Sequence, residues 1–319
     1  MEKTMTQQLD ATILVLGEQS DILLNLLKKQ FSTIYELEHI EDKDNFFKEN
    51  GKDIVAVATS SNIGITKEEI DALPKLEIIA SFGVGYDSID IDYAKKRGIQ
   101  ITNTPNVLND CVADTAMMLT YAVARKLISA DAYVRQGNWI SPFPLTTSLS
   151  KKVCGILGMG NIGEEIAKRA VAAGMEVIYH NRTEKNNVPY RYVATLEALA
   201  EQADFLILAL PSTSQTQHII NINILEKMKS TAYIINIARG SVIDEKALIE
   251  SLKHEKIAGA GLDVFEEEPC TQSPLFEMDR VVLTPHYASG TYETRQAMAL
   301  LVCQNLTQFF NKNSLITPI

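Results

Sequence analysis

Short apolar runs alternate with amphipathic stretches along most of this chain. An amphipathic stretch from Asp21 to Phe31 follows the first run, and Ser20 stands where it would cap a helix. Thr66, followed by Lys and two Glu residues, begins another helix with a capping-box signature. Strand-like runs joined by helical patterns predict parallel strands with helices between them. The runs of this first series are TILVL (12–16), DIVAVA (53–58), LEIIAS (76–81) and IQITN (99–103).

A long helical pattern rich in Ala, Met and Leu extends from Asp110 to Lys126. Because apolar residues occupy several of its faces, we expect a buried helix between two domains. A loop with two prolines and the only tryptophan follows at 137–148. The strand pattern then restarts near residue 150, and one amphipathic helix is predicted from residue 291. The runs of this second series are VCGIL (153–157), EVIYH (176–180), DFLILAL (204–210), TAYIINIA (231–238), GAGLDV (259–264) and RVVLTPH (280–286).

Two successive series of this kind predict an α/β protein with two Rossmann-like domains, each a doubly wound parallel sheet. The 319 residues are enough for two domains of about 150 residues each. In such sheets ligands bind outside the carboxyl ends of the strands. Residues that directly follow the predicted strands are therefore the candidates for function.

The composition narrows the class of protein. Thirty basic and forty acidic residues give a net charge of −10, and no Lys/Arg cluster suits a nucleic-acid backbone. No apolar run is long enough to span a membrane, and the polar start MEKTMTQQLD does not suggest a secretory signal. We therefore expect a cytoplasmic protein that binds neither membrane nor nucleic acid. The cysteines are widely spaced, which predicts reduced thiols and no metal site: Cys111, Cys154, Cys270 and Cys303.

A G-x-G-x-x-G motif follows the first strand of the second series and opens a helix. In this context Gly158 allows the tight turn, Gly160 lets a pyrophosphate approach the backbone, and Gly163 lets helix pack on strand. Asn161 and Ile162 lie at the helix N-terminus, where free N–H groups and the helix dipole favour phosphate. The motif predicts a dinucleotide cofactor. The alternative is a glycine-rich turn of some other α/β fold.

The next strand ends without the acidic residue that NAD sites normally place there. Asn181 holds that position, and unlike a carboxylate it does not repel a 2′-phosphate. Arg182 offers a planar fork for a phosphate, Thr183 adds a hydroxyl, and Lys185 adds a second positive charge. NADP(H) is therefore favoured as the cofactor. NAD(H) is the alternative if Arg182 is only a solvated surface residue.

Three side chains that can bind or transfer charge follow consecutive strands of the second series. Arg239 ends one strand, Glu268 lies just beyond the next, and His286 ends the last. Singly, each has an ordinary structural alternative: a surface ion pair, a solvated acid, a helix cap. Together at one sheet edge they predict a catalytic group beside the cofactor.

The motifs GILGMGNIG, NIARGSVIDEKAL, GAGLDVFEEEP and VVLTPHYASGT, in this order and spacing, resemble the D-2-hydroxyacid dehydrogenase family. SFGVGYDSIDIDYAKKRGIQITNTPNVL and VADTAMML, nearer the N-terminus, resemble it too. The resemblance implies a flavodoxin-like substrate domain formed by residues 1–102 plus 288–319. It implies a Rossmann NAD(P)-binding domain, residues 103–287, inserted into the first, with catalysis in the cleft between the two.

The resemblance also implies roles for the three charged residues. Arg239 binds the substrate carboxylate and polarises the 2-oxo group. His286 gives a proton in the reduction and takes one in the oxidation. Glu268, the acid directly before Pro269, pairs with the imidazole and keeps it protonated until hydride arrives.

Other site residues are implied in the same way. Val84 and Gly85 offer backbone N–H groups to the substrate carboxylate. Asp263 and the Ala238 carbonyl hold the nicotinamide carboxamide, and Pro211 shapes the cofactor pocket. A further residue, Trp139, reaches the active site of the neighbouring subunit in a homodimer or is only an interface anchor.

Within the family, YHNRTEK resembles NADPH-preferring glyoxylate/hydroxypyruvate reductases and hydroxyphenylpyruvate reductases. We expect reduction of a small 2-oxo acid, glyoxylate or hydroxypyruvate, although a larger acid such as a hydroxyphenylpyruvate is an alternative. Tyr287 either narrows the substrate pocket or packs outward. We expect no regulatory domain after the last helix, which disfavours the long phosphoglycerate dehydrogenases. A dinucleotide-sensing corepressor is the alternative from outside the enzymes.

Overall fold

The structure is a computed structural model that describes residues 8–319. Most of the N-terminal stretch in which no secretory signal is expected lies outside the described residues. The contacts within the chain divide it into two units, the residues up to Leu108 with Gly290–Ile319, and Asn109–Ser289. Each unit is built on one parallel sheet, of five strands in the first and seven in the second.

The elements are numbered in chain order. The strands are β1 (Leu9–Val15), β2 (Phe31–Glu36), β3 (Ala56–Ser60), β4 (Ile78–Phe82), β5 (Gln100–Thr102), β6 (Val153–Leu157), β7 (Glu176–His180), β8 (Arg191–Tyr192), β9 (Phe205–Leu208), β10 (Tyr233–Asn236), β11 (Gly259–Leu262) and β12 (Val281–Leu283). The helices are α1 (Asp21–Gln30), α2 (Lys43–Asn50), α3 (Lys67–Asp71), α4 (Ile91–Lys96), α5 (Asn109–Ala124), α6 (Leu127–Arg135), α7 (Asn161–Ala172), α8 (Leu196–Gln202), α9 (Ile222–Lys227), α10 (Glu245–Lys253) and α11 (Tyr292–Phe310).

The sheet of the first unit has the strand order β2-β1-β3-β4-β5, which is the flavodoxin-like order. The predicted helix starts are confirmed, since Ser20 accepts a hydrogen bond from Leu23 N and Thr66 forms a capping box with Glu69. The helix predicted to reach Phe31 was wrong at its end, because Phe31 begins β2. That strand lies at the sheet edge, so it carries no continuous apolar run to reveal it.

The long apolar helix is confirmed as α5, in which eleven of sixteen residues are buried. It ends two residues early, at Ala124, because Lys126 takes a left-handed conformation (φ 51°) and a separate helix, α6, starts at Leu127. No residue of α6 is buried within the described chain, although several of its side chains are apolar.

The sheet of the second unit has the order β12-β11-β10-β9-β6-β7-β8. The chain goes from β6 outward to β7 and β8, then returns to the other side of β6 with β9. This reversal is the topological switch point of a Rossmann fold, and the loop after β6 lies at it. Two large apolar cores, one in each unit, lie against the two sheets.

No helix within residues 8–319 has the length and apolar character that a bilayer span requires. All four cysteines carry free thiols. Burial raises the pKa of the Cys154 thiol to about 12, so this side chain packs as a small apolar group.

Candidate active site

The glycine loop follows β6, and two of its glycines are required by neighbouring backbone. A β-carbon on Gly158, which has φ +102°, would lie 2.4 Å from the Ala209 carbonyl oxygen. One on Gly163 would lie 2.3 Å from the Gly158 carbonyl oxygen. Any side chain at either position would force loop and helix apart, as the motif predicts.

Gly160 differs, because a β-carbon there would meet nothing within 4 Å. This residue caps α7 without a side-chain hydrogen bond, and both Gly160 and Asn161 are exposed. The protein itself therefore does not need glycine at 160. Open space in front of the N-terminus of a twelve-residue helix fits the pyrophosphate of a dinucleotide.

The loop after β7 lies beside the glycine loop. Asn181 joins the two, since its Oδ1 accepts a hydrogen bond from Met159 N at 2.7 Å. The amide oxygen is thus used within the protein, and the amide nitrogen is a donor. Arg182 and Thr183 are exposed, and Arg182 Nη1 lies 3.5 Å from Gln215 Oε1.

Lys185, which was predicted to add a second positive charge near the phosphate, has an acidic partner in the structure. Its Nζ lies 2.5 Å from Glu164 Oε1, in the first turn of α7, with both side chains about 30% exposed. The carboxylate balances this positive charge, and a role of Lys185 beside a phosphate stays a prediction. Glu164 is distant in sequence, and nothing in the local pattern pairs the two residues.

The predicted acid and imidazole meet in the second unit. His286 Nδ1 lies 2.6 Å from Glu268 Oε2, and Glu268 Oε1 accepts a hydrogen bond from Phe265 N at 3.0 Å. Their side chains are 26% and 30% exposed, so both are partly screened from water yet reachable. His286 has a left-handed backbone (φ 49°), which turns the chain sharply after β12.

This environment lowers the pKa of Glu268. Burial, the largest single effect, raises it, but the hydrogen bonds from His286 and Phe265 and the charges of His286 and Arg239 outweigh burial. The stabilisation of the ionised carboxylate is present above its ordinary value of 4.5 and is lost as the pH falls through the lowered folded-state value. Glu268 is therefore an anion at neutral pH, suited to pair with an imidazolium.

Asp263 holds the loop that carries His286. Its fully buried carboxylate accepts hydrogen bonds from Thr284 Oγ1 (2.6 Å), Tyr287 N (3.0 Å) and Ala288 N (3.0 Å). Burial raises the pKa of Asp263 overall, although these three donors oppose the effect. The carboxylate thus holds the Thr284 side chain before His286 and the backbone directly after it.

The same loop is also bound to α5. The Ala288 carbonyl accepts hydrogen bonds from Cys111 Sγ (2.9 Å) and Thr115 Oγ1 (3.3 Å). Tyr287 directs its hydroxyl to Met118 Sδ, 3.4 Å away on the same helix, and its side chain is 38% exposed. The hydroxyl of Tyr287 therefore contacts α5.

Arg239 follows β10 at the same edge of the sheet. Buried Asn236 fixes its backbone, since Nδ2 donates to the Arg239 carbonyl at 2.9 Å and Oδ1 accepts from Ala238 N at 3.0 Å. Arg239 Nη1 donates to the Ala238 carbonyl at 2.8 Å. A β-carbon on Gly240 would lie 1.7 Å from the Phe265 carbonyl oxygen, so the loops bearing Arg239 and Glu268 touch through their backbones.

The remaining predicted residues lie as follows. Ile162 lies in the first turn of α7, and Pro211 lies in an exposed loop after β9. Trp139 is 76% exposed, in the loop after α6. Val84 and Gly85 follow β4 in the first unit, where Asn103 Nδ2 donates to the Val84 carbonyl at 2.9 Å.

Sequence reasoning missed the residues that support the site. Asn236, Thr284, Asn103 and Thr104 all lie at strand ends, and Thr104 Oγ1 accepts a hydrogen bond from Gly83 N at 3.0 Å. Their signal was a polar residue at the end of an apolar strand run. Gly240, directly after Arg239, was a second signal, because the backbone of Phe265 approaches it too closely for any side chain.

An imidazole, a carboxylate anion and a guanidinium at one sheet edge can together bind an anionic substrate and transfer a proton. Within residues 8–319 no group of His, Cys, Asp or Glu side chains is arranged to hold a metal ion.

Comparisons with known proteins agree with this geometry. Residues 117–288 match the NAD binding domain of the D-isomer specific 2-hydroxyacid dehydrogenases. Glyoxylate/hydroxypyruvate reductase A of Arabidopsis thaliana is 42% identical over 308 residues, covering 96% of this chain and 98% of that protein. The hydroxyphenylpyruvate reductase of Plectranthus scutellarioides is also 42% identical over 308 residues, with the same coverage.

A solved structure shows the same similarity in three dimensions. The NADPH-dependent glyoxylate/hydroxypyruvate reductase of Sinorhizobium meliloti, in complex with NADP and malonate, has a TM-score of 0.89 and 38% sequence identity. The match covers 97% of this chain and 96% of that one.

The Asp263 network predicts a large loss of stability on truncation. Asp263→Ala removes a buried carboxylate and leaves the N–H groups of Tyr287 and Ala288 and the Thr284 hydroxyl without their acceptor, which costs about 3 kcal/mol of the free energy of unfolding. Urea denaturation followed by circular dichroism measures the loss. In the matched control Asp279→Ala, which removes an exposed carboxylate, the change stays within about 0.5 kcal/mol. Equal small effects in both variants would show that the network does not hold the loop.

Proposed function

This chain belongs to the D-isomer specific 2-hydroxyacid dehydrogenase family, and we propose that it uses NADPH to reduce glyoxylate or hydroxypyruvate to the 2-hydroxy acid. Membership makes it an NAD(P)-dependent oxidoreductase of 2-hydroxy acids. The main support for the proposed reduction is the pair of His286 Nδ1 and Glu268 Oε2, 2.6 Å apart, beside Arg239. We also propose residues 1–102 plus 288–319 as the substrate domain, 103–287 as the cofactor domain, and the cytoplasm as the location.

NADPH, when bound, supplies the hydride that reduces the 2-oxo carbon. The chain supplies the proton: because His286 Nδ1 is held by Glu268, Nε2 is the nitrogen that donates to the forming alkoxide oxygen. Glu268, an anion at neutral pH, stabilises the imidazolium before that transfer. Arg239 binds the substrate carboxylate and draws charge towards the 2-oxo oxygen.

The cofactor assignment rests on residues of the second unit. The pyrophosphate fits the open space at Gly160 and the N-terminus of α7, formed by Asn161 and Ile162. The exposed Arg182 and Thr183, with the amide nitrogen of Asn181, suit a 2′-phosphate better than a ribose hydroxyl.

Roles for the other residues rest on the family resemblance. Pro211 is assigned to the cofactor pocket, and Ala238 and Asp263 to the nicotinamide end of the site. For Asp263, the hydrogen bonds support an indirect role, because its carboxylate holds the loop that carries His286. Val84 and Gly85 stay predictions for the substrate carboxylate.

A larger 2-oxo acid is the second candidate. The hydroxyphenylpyruvate reductase that matches 96% of this chain is as similar to it as the glyoxylate/hydroxypyruvate reductase. The Tyr287 hydroxyl is directed to Met118 Sδ on α5, 3.4 Å away. Turnover rates for small 2-oxo acids and for a hydroxyphenylpyruvate therefore have to be compared directly.

We further propose a homodimer built on an apolar patch of α5, α6 and the following loop. The patch is held together by Tyr133, whose hydroxyl donates to the Ser141 carbonyl at 2.6 Å and whose ring contacts Phe143. Exposed apolar residues at this density are typical of an interface. They are Met118, Tyr121, Leu127, Ile128, Val134, Trp139, Ile140 and Leu145, all at least 38% exposed.

The substrate proposal predicts turnover of glyoxylate or hydroxypyruvate with NADPH, and less with pyruvate or hydroxyphenylpyruvate. Steady-state rates with each acid and with NADPH or NADH measure this. With the best pair, His286→Asn should lower kcat by about 10²–10⁴-fold, since the general acid is lost while asparagine tolerates the left-handed backbone.

The matched control is His218→Asn. His218 also has a left-handed backbone (φ 48°) and lies 2.6 Å from a glutamate, Glu266, yet it is not assigned to the reaction. Its variant should keep near-normal kcat. Equal losses in the two variants would contradict the proton-donor role, and no turnover of any acid would favour a dinucleotide sensor.

The cofactor proposal predicts a selective effect at Arg182. Arg182→Ala should raise the KM for NADPH about tenfold or more, because a charge-assisted contact to phosphate is lost, and leave the KM for NADH nearly unchanged. Arg191→Ala, at an exposed arginine on β8, is the control and should change neither. A parallel rise for both cofactors would mean that Arg182 does not bind the 2′-phosphate.

The dimer proposal predicts that one charge in the patch separates the subunits. Ile128→Asp, at a residue 62% exposed, should shift the sedimentation coefficient from dimer to monomer, since a carboxylate is costly to bury. Tyr292→Asp, at a residue 88% exposed outside the patch, should remain dimeric. A monomeric parent protein, or a dimer unaffected by Ile128→Asp, would contradict the proposal.

A further inference from the structure

We propose that Tyr179 is a positioning residue for cofactor selection, because its hydroxyl holds the 181–185 loop in the conformation that presents Arg182 to a 2′-phosphate. This inference rests on the proposed use of NADPH. It assigns a role to a buried strand residue that cannot itself touch the cofactor.

The Tyr179 hydroxyl closes the loop by two hydrogen bonds to one residue. Tyr179 lies in β7 with 0% of its surface exposed. Its hydroxyl donates to the Lys185 carbonyl at 3.1 Å and accepts from Lys185 N at 2.9 Å. A single side chain thus satisfies both the N–H and the carbonyl of Lys185, the residue at which the loop ends.

The start of the loop is anchored separately. The Asn181 carbonyl accepts a hydrogen bond from Tyr192 Oη at 3.1 Å, and Asn181 Oδ1 accepts from Met159 N at 2.7 Å. The rings of Tyr179 and Tyr192 pack together, with centroids 5.5 Å apart. Only residues 182–184 lie between the two anchors, so Arg182 extends from a short loop fixed at both ends.

Lys185 is held in two ways, by the Tyr179 hydroxyl and by an ion pair with Glu164, and the ion pair is the weaker of these. Both of its side chains are about 30% exposed, and ion pairs open to solvent contribute little. The Tyr179 hydroxyl is buried, and its loss would leave the N–H and carbonyl of Lys185 without their partner. We therefore place the positioning role on Tyr179.

The physical reason for selectivity is preorganisation. A guanidinium binds phosphate through two parallel hydrogen bonds, which require a fixed approach direction. A loop already held in the bound conformation loses less entropy on binding. NADH has no 2′-phosphate, so its affinity does not depend on where Arg182 points.

The test is Tyr179→Phe in the full-length protein. It should raise the KM for NADPH about fivefold, as expected for one hydrogen-bonded anchor, with kcat and the KM for NADH within about twofold of the parent values. Calorimetric titration with 2′,5′-ADP and 5′-AMP gives a readout independent of turnover. The affinity for 2′,5′-ADP should fall about fivefold, and that for 5′-AMP should stay within about twofold.

Tyr233→Phe is the matched control. Tyr233 is a buried tyrosine of the same sheet, in β10, and its hydroxyl makes one side-chain hydrogen bond, to Thr147 at 3.0 Å. It lies at the amino end of its strand, opposite the edge that carries the 181–185 loop. This variant also loses a buried hydroxyl from the sheet, and it should keep the parent preference for NADPH.

Three outcomes are distinguishable. A selective loss for NADPH and 2′,5′-ADP in Tyr179→Phe, absent from Tyr233→Phe, supports the inference. A parent protein that prefers NADPH, together with a Tyr179→Phe variant that keeps the preference or loses both cofactors equally, overturns the inference and leaves the proposed function standing. A parent protein without preference for NADPH overturns the cofactor proposal and the inference with it.

Discussion

Parallel pairing of the seven strands in the second unit is the constraint on which the candidate site depends. Because all seven strands point the same way, every carboxyl end lies along one edge of the sheet. The loops after β6, β7, β10, β11 and β12 therefore lie along the same edge, although the residues they carry span positions 158 to 286. A glycine loop, an arginine, a glutamate and a histidine meet there without any local sequence relation.

Bringing the loops to one edge is not enough to aim their side chains. Buried polar groups do that, since each loop leaves backbone N–H and carbonyl groups that need partners. Asp263 accepts three hydrogen bonds from the His286 loop, and Asn236 makes two with the Arg239 loop. These residues pack into the end of the sheet like core residues, yet the orientation of the imidazole and the guanidinium depends on them.

The glycine loop and the loop after β7 are also held by close backbone contacts and buried hydrogen bonds. Gly158 and Gly163 allow backbone to approach backbone, whereas Gly160 keeps a space open. The loop after β7 is fixed by two tyrosine hydroxyls and by the Asn181 amide oxygen. Asn181 stands where NAD sites usually have an acidic residue; its Oδ1 accepts a hydrogen bond from Met159 N, and it carries no negative charge. This is the observation behind the proposed preference for NADPH.

The sequence by itself determined the α/β class, the strand–helix alternation, the helix starts at Ser20 and Thr66, and the three charged residues after consecutive strands. Periodicity and capping are local signals, and the order of motifs revealed the family. The edge strand β2, the break at Lys126 and the pairing of Lys185 with Glu164 were decided by the tertiary structure. So were the supporting roles of Asp263, Asn236 and Tyr179, because a buried hydrogen bond joins residues that only the folded sheet brings together.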